Sequence, residues 1–308
     1  MDDQASSDRR RPLTGNATAF ALLLAALWGG NPVAAKAGLD DAPPLRMGWL
    51  RFLLGGIVVL VWALATRQSF QLLRSEWLPL LGLGILFSAQ IAFMNVGQDL
   101  TTAGHAAVIT ATFPLWTGLL AHFLVPGDRL TTERVIGTMI AYLGVVALFW
   151  TGFEGDATIG GDLLMLVSAI LLGSRQIYLS QAAQGIAIHK LLLAQSVIGI
   201  FTFLPTSAIF ETEPYVLTER LALSLFYQGI VIAGFGFLGQ TWLLQRYLPS
   251  GVTALQLTTP FFAVLAGVIL LDETIGLELL VGTILVVLGQ LIARRQELSR
   301  MLERSESS

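Results

Sequence analysis

The chain has 308 residues, 54% hydrophobic and 13% charged, with a mean hydropathy of +0.70. Soluble domains carry about 25% charged residues, so too little polar surface remains here to coat a globule in water, and the bilayer is the solvent that fits. A formal charge of −3 offers no basic face to nucleic acid, and the absence of cysteine excludes disulfide frameworks, thiolate metal sites and cysteine nucleophiles.

Residues 1–16 carry Arg9, Arg10 and Arg11 together with aspartates, and no A-x-A-like cleavage site follows. The first apolar stretch is therefore expected to remain as an uncleaved helix. Apolar runs recur at 17–38, 43–66, 77–98, 103–124, 133–152, 159–181, 189–209, 221–244, 250–271 and 275–294. About 20 residues rising 1.5 Å each cross a hydrocarbon core of about 30 Å. In lipid the backbone must pair internally, so each run is expected to be a transmembrane helix. None alternates every second residue as a barrel strand would. The fold class is all-α membrane protein with ten transmembrane helices.

Lys and Arg set the orientation. With the N-terminus inside, the inner segments hold Arg9, Arg10, Arg11, Arg67, Arg74, Arg129, Arg134, Lys190, Arg246, Arg294, Arg295, Arg300 and Arg304. The outer ends hold only Lys36, Arg46, Arg51 and Arg220, and the acidic segment 153–162 has no Lys or Arg. Both termini are expected in the cytoplasm, in a multi-pass protein of the cell inner (plasma) membrane.

The chain also repeats itself. At one constant offset Thr112 falls on Thr258, Pro114 on Pro260 and Trp116 on Phe262; after one deletion Gly137 falls on Gly282 and Gly144 on Gly289. Each half then holds five helices. Five is odd, so the second half must be inverted in the membrane, the pattern of secondary transporters with a site near the midplane. The expected organisation is a cytoplasmic tail (1–16), a first five-helix repeat (17–152), a second (159–294) and a cytoplasmic tail (295–308).

These residues carry a resemblance. WGGNPVAAK at 28–36, LRF at 50–52, ATFPLWTGLL at 111–120 and TTPFFAVLAGVILLDETIGLELLVGTILVVLG at 258–289 resemble the drug/metabolite transporter superfamily in its EamA-type ten-helix branch. Within it the chain looks most like bacterial amino-acid exporters of the YddG type. The resemblance implies a 5+5 helical fold, a central cavity open alternately to each side, and export of amino acids, aromatic or neutral ones included, or of related metabolites. One departure is Asp128-Arg129, where the family often has an acidic residue followed by a polar one.

Pro114 and Pro260 lie about halfway along their helices. Each removes a donor and is expected to free the carbonyl four residues earlier, that of Thr110 or Gln256. A paired helix break beside polar groups points to a binding site, and the plain alternative is a packing kink. His105, Thr112 and Trp116 share one face of the fourth helix, with Thr258 and Phe262 as the counterpart pair. A hydroxyl beside an aromatic suits an amphipathic zwitterion, and it also suits ordinary interhelical packing. Trp28 and Asn31 lie one turn apart before Pro32. Gln90 and Asn95, with Gln98, interrupt the third helix, and Gln176, Tyr178 and Gln195 raise the same question in the second half, since buried amides need partners. Arg175 lies well inside the sixth helix, where an intramembrane charge either attracts a substrate carboxylate or snorkels to the inner interface.

All 21 acids fall in loops or at helix ends of the expected spans. With no mid-membrane carboxylate to carry a proton, the expectation is facilitated diffusion, or weak coupling through Asp99 and His105. GFGFLG at 234–239 matches GxGxxG literally, yet no strand precedes it and no acidic residue follows, so it reads as close helix packing. No P-loop and no metal-ligand spacing occurs, so no catalytic residue, metal or cofactor is assigned. The expected partners are a small-molecule substrate and membrane lipid, with no nucleic acid and no obligatory protein partner. The alternatives are a carrier of another metabolite class, such as a sugar conjugate or a drug, and a membrane-embedded enzyme. The latter would need acids, histidines or a metal within the bilayer.

Overall fold

A computed structural model describes residues 10–39, 41–101, 103–148, 158–211, 216–263, 265 and 277–293. Helix dominates, and each of the ten expected apolar runs coincides with helix among these residues. In chain order the helices are α1 (Gly15–Leu39), α2 (Pro44–Ala65), α3 (Trp77–Asp99), α4 (Ala103–Thr110), α5 (Phe113–Leu124), α6 (Thr132–Leu148), α7 (Ile159–Ala182) and α8 (Ile188–Phe210). Then come α9 (Glu219–Leu225), a π-helix (Phe226–Gly236), α10 (Phe237–Arg246), α11 (Pro249–Leu255), a 3-10 turn (Gln256–Thr258) and α12 (Leu277–Ala293). Among the described residues, five helical stretches are long and apolar enough to cross a membrane: Pro44–Ala65, Trp77–Gln98, Ile159–Ala182, Ile188–Phe210 and Glu219–Arg246. Shorter apolar helices accompany them.

Helix starts follow local chemistry. Pro44 and Pro249 each stand in the first turn of their helix, where a missing N–H costs nothing. Thr158 and Thr218 are N-caps, their hydroxyls accepting from Gly161 N and Leu221 N at 3.0 Å. Two acids cap helices from far along the chain. Glu211 accepts from Leu45 N (2.6 Å) and Arg46 N (2.8 Å) at the start of α2. Asp128, 1% exposed, accepts from Ser250 N (3.0 Å) at the start of α11. A carboxylate at a helix N-terminus meets unpaired N–H groups and the positive end of the helix dipole.

The outer faces of α2, α3 and α8 expose Ile57, Val61, Leu78, Ile85 and Phe201. In water such contiguous apolar area would be a liability; against lipid it is the required surface. The largest buried cluster lies at one end of the bundle. It joins the starts of α1, α3, α8 and α11 to the ends of α7 and α10, through Leu24, Leu83, Leu179, Leu191, Leu243 and Val252. Residues 10–14 cross this end: Leu13 is buried in the cluster, Arg11 N donates to Arg246 O (3.1 Å), Leu248 N donates to Arg11 O (3.0 Å), and Arg10 Nη1 donates to Ser180 Oγ (2.8 Å).

The tightest helix pair is α6 with α12. A Cβ added to Gly144 would lie 2.7 Å from Gly282 O and 2.8 Å from Val286 N, against the ordinary 3.4–4 Å. One on Gly137 would meet Gly289 O and Ala293 N more closely still. Since 137 faces 289 while 144 faces 282, the two helices run antiparallel. GFGFLG packs as expected: Gly234 meets Val58, and Gly239 meets Phe20 and Leu24.

At the same end as the large cluster, Lys190 Nζ donates to both Glu76 oxygens, at 2.9 and 2.8 Å. The Lys190 ammonium, then the Leu73 N–H, hold the Glu76 carboxyl below its ordinary 4.5. A folded pKa below the unfolded one means that the link stabilises fully above about pH 4.5 and is lost as pH falls through the folded value. We expect the melting temperature in detergent to fall on acidification below that range, and Glu76→Gln to flatten this part of the curve. Equal acid sensitivity in both proteins would show that the link contributes nothing.

Candidate functional site

Both expected helix breaks are present. α4 ends at Thr110 and α5 begins at Phe113, while α11 ends at Leu255 and tightens into the 3-10 turn. The breaks begin about one turn before the prolines, and threonine hydroxyls close them. Thr112 Oγ1 donates to Ile109 O at 2.6 Å, and Thr258 Oγ1 donates to Leu255 O at 2.7 Å, equivalent bonds at the repeat offset. The carbonyl expected to be free at Gln256 accepts from Thr259 N–H, because the 3-10 turn shifts the pairing by one residue. Trp116 Nε1 donates to Thr112 Oγ1 at 3.2 Å. The Thr112 and Thr258 hydroxyls thus pair with their own helices.

Trp116 and Phe262 sit on glycines of partner helices. A Cβ on Gly173 would lie 2.9 Å from Trp116 Cβ, and one on Gly29 would lie 2.7 Å from Phe262 Cβ. With the first helices of the two repeats aligned so that Gly29 falls on Gly173, two residues short of the offset at Thr112, exchanging the repeats turns one contact into the other. Trp28 adjoins Gly29, and Arg175 is two residues from Gly173, so these seats border the polar cluster.

That cluster centres on Arg175, 7% exposed and held inside the bundle. Its Nε donates to Gln195 Oε1 on α8 at 2.8 Å. Its guanidinium carbon lies 4.5 Å from the ring centre of Phe87 on α3 and 5.3 Å from that of Phe237 on α10. Trp28 on α1 stacks on Phe237 at 5.3 Å with 25° between the planes. Four spans therefore meet at one cation, which the two ring faces stabilise electrostatically. On the helices around it, Trp28 Nε1, Asn31 Oδ1, Gln90 Oε1 and Gln240 Nε2 are buried without a hydrogen-bond partner among the described residues.

The other expected residues are dispersed. Gln90, 2% exposed, donates from Nε2 to Ser168 Oγ (3.2 Å), joining α3 to α7. Tyr178 donates to Pro79 O (3.0 Å) against Gly82, joining the same helices. Gln176 is buried, and Asn95, Thr110, Gln256 and Pro260 are half-buried. Arg51 contacts Gln228 Oε1 (3.5 Å) and the Phe52 ring. The side chains of Lys36, Asp99 and His105, and residues 266–276 with the DET of the family motif, lie outside the described residues. A separate cavity of about 210 Å³ between α5, α6 and α11 is lined by Pro114, Gly118, Arg134, Ser250 and Ala254, away from Arg175.

Sequence reasoning missed Phe87, Phe237 and Gln240. A signal was present: Trp28 and Asn31, Phe87 and Gln90, and Phe237 and Gln240 each place an aromatic three residues before an amide in an apolar run.

Comparison with known proteins agrees with this architecture. The model of the EamA-like transporter family matches residues 16–150 and again 159–295. The chain is 29% identical over 289 residues to a probable amino-acid metabolite efflux pump of Escherichia coli (strain K12), covering 88% of this chain and 92% of that one. It is 22% identical over 267 residues to the uncharacterized transporter YoaV of Bacillus subtilis (strain 168), covering 85% and 91%. A solved crystal structure at 19% identity superposes with a TM-score of 0.79 over 90% of this chain and 98% of that one, a likeness of fold.

Proposed function

The chain belongs to the EamA-like transporter family, and from that premise we propose that it exports amino acids or related small metabolites across the plasma membrane by alternating access between two inverted five-helix repeats. It is a multi-pass membrane transporter; the substrate, the direction and the cycle are the proposal. The observation that carries it is the exchange symmetry of the glycine contacts. Gly137 facing Gly289 becomes Gly282 facing Gly144 when the repeats are exchanged, and Gly29 under Phe262 becomes Gly173 under Trp116. Equivalent helices that meet antiparallel are related by an axis perpendicular to them, hence an axis in the membrane plane. An exchange of the two repeats' conformations then closes one end and opens the other around a fixed centre. The large cluster and the strap of residues 10–14 would be the closed inner gate.

Amino acids are supported by the name of the Escherichia coli relative and by a buried cation beside aromatic and amide groups. Among the described residues the buried carboxylates are Glu76 and Asp128, each ion-paired at a helix end or in a loop. That favours transport without a proton passing through a buried acid.

The test is flux from proteoliposomes loaded in turn with radiolabelled threonine, methionine, phenylalanine and a sugar conjugate, with and without a pH gradient. We expect gradient-independent amino-acid flux, reduced at least tenfold by Trp116→Ala. Flux of the conjugate alone would overturn the substrate, and flux only with a gradient would overturn the uncoupled cycle.

A further inference from the structure

A guanidinium in lipid-surrounded protein is costly unless charge or hydrogen bonds compensate it. Among the described residues Arg175 has no carboxylate partner, and its one hydrogen bond leaves from Nε to Gln195. Two aromatic faces hold its plane. Arginine carries five N–H donors, four of them on the terminal nitrogens, and these four have no hydrogen-bond partner among the described residues. The side chain is thus oriented through Nε and its rings, while the fork that matches a carboxylate stays unused.

The unpartnered amides around it have a direction. The starts of α1 and α3 share the large cluster, so these helices run the same way and α10, whose end lies there, runs oppositely. Asn31 and Gln90 follow Trp28 and Phe87 by three residues, so both lie on the side of the ring layer away from the sealed end. Their unpaired atoms, Asn31 Oδ1 and Gln90 Oε1, are acceptors. The assignment at Gln90 follows from its partner: Ser168 Oγ donates to the Gln90 carbonyl at 3.1 Å, so it must accept from Nε2. Asn31 and Gln90 stand three residues, about 4.5 Å of helix rise, beyond the rings that hold the cation, so cation and acceptors occupy successive levels of the same interior.

We propose that Arg175, oriented by Gln195 and the Phe87 and Phe237 rings, seats the α-carboxylate of the substrate, and that Asn31 and Gln90 receive its ammonium group. The inference rests on the transport reading above and deepens it. Recognition falls on the backbone groups of an amino acid, so the carrier is strict for the free carboxylate and permissive for the side chain.

The experiment uses the full-length protein in liposomes and compares outward flux of phenylalanine, phenylalaninamide and phenethylamine. For the unaltered protein we expect phenylalanine to exceed both analogues at least tenfold. Arg175→Gln should lower phenylalanine flux at least tenfold and bring the acid-to-amide ratio near one, a change that mere structural damage would not produce. Arg175→Lys should restore part of the preference. Equal flux of acid and amide through the unaltered protein, or an undiminished preference in Arg175→Gln, overturns the carboxylate seat while leaving the transport reading intact. If Arg175→Gln fails to fold, the analogue series on the unaltered protein decides. No flux of any of the three, nor of threonine or methionine, overturns both readings.

Discussion

Gly137→Val is expected to destabilise the protein by about 3 kcal/mol, the upper part of the overpacking range. The new Cβ would meet backbone atoms, Gly289 O and Ala293 N, and backbone cannot swing aside as a side chain can. Helices in lipid associate through close van der Waals packing, so forcing α6 from α12 removes the contact that holds them together. The reciprocal contacts, Gly137 with Gly289 and Gly144 with Gly282, sharpen the expectation. Gly289→Ala and Gly144→Ala place a methyl against the same helix pair, the first 2.5 Å from Gly137 O and the second 2.7 Å from Gly282 O, and both should lower the melting temperature by comparable amounts. Gly15→Ala is the control, with nothing within 4 Å of its added Cβ. Thermal unfolding in detergent measures all four. An unchanged melting temperature in Gly137→Val would show that the pair is looser than the distances state.

Asp128→Ala should cost about 3 kcal/mol, the lower end for breaking a buried ion pair. The carboxylate is fully buried and binds Arg134 Nη1 at 2.6 Å, Ser250 N at 3.0 Å and the Ser250 hydroxyl. Removing it takes the short carboxylate bond from an arginine that is only 17% exposed and otherwise bonds Arg129 O and Ser250 Oγ, and it leaves the Ser250 N–H with no other acceptor among the described residues. Ser250→Ala removes the hydroxyl but keeps the N–H bond, so about 1 kcal/mol is expected. Thermal unfolding of the two variants against the unaltered protein checks the order. Ser250→Ala costing as much as Asp128→Ala would mean that the ion pair contributes little. Asp128 joins the loop after α5 to the start of α11, so it also bridges the two repeats. The departure at Asp128-Arg129 therefore falls on a structural tie, not on the Arg175 cluster.

The helical spans were legible because hydropathy over about 20 residues is a local property, and lipid leaves the backbone no alternative to helix. The repeat offset was legible because Thr112, Pro114 and Trp116 recur as Thr258, Pro260 and Phe262, and equivalent hydroxyl bonds then appear at both breaks. The position of each break was not legible to the residue. Proline marks where a donor is missing, but a threonine hydroxyl bonding three residues back sets where the turn tightens.

What composition and pattern determined by themselves is the solvent, the helices and the twofold repetition, since each depends on residue type along a single segment. What only the tertiary structure decided is where the polar groups end up. Whether Arg175 reaches an interface or stays inside depends on Gln195, Phe87 and Phe237, brought to it from three other helices. Whether Asp128 is a loop acid or a helix cap depends on Ser250, 122 residues away. A buried charge takes its role from the partners that compensate it, and those partners are set by packing between segments.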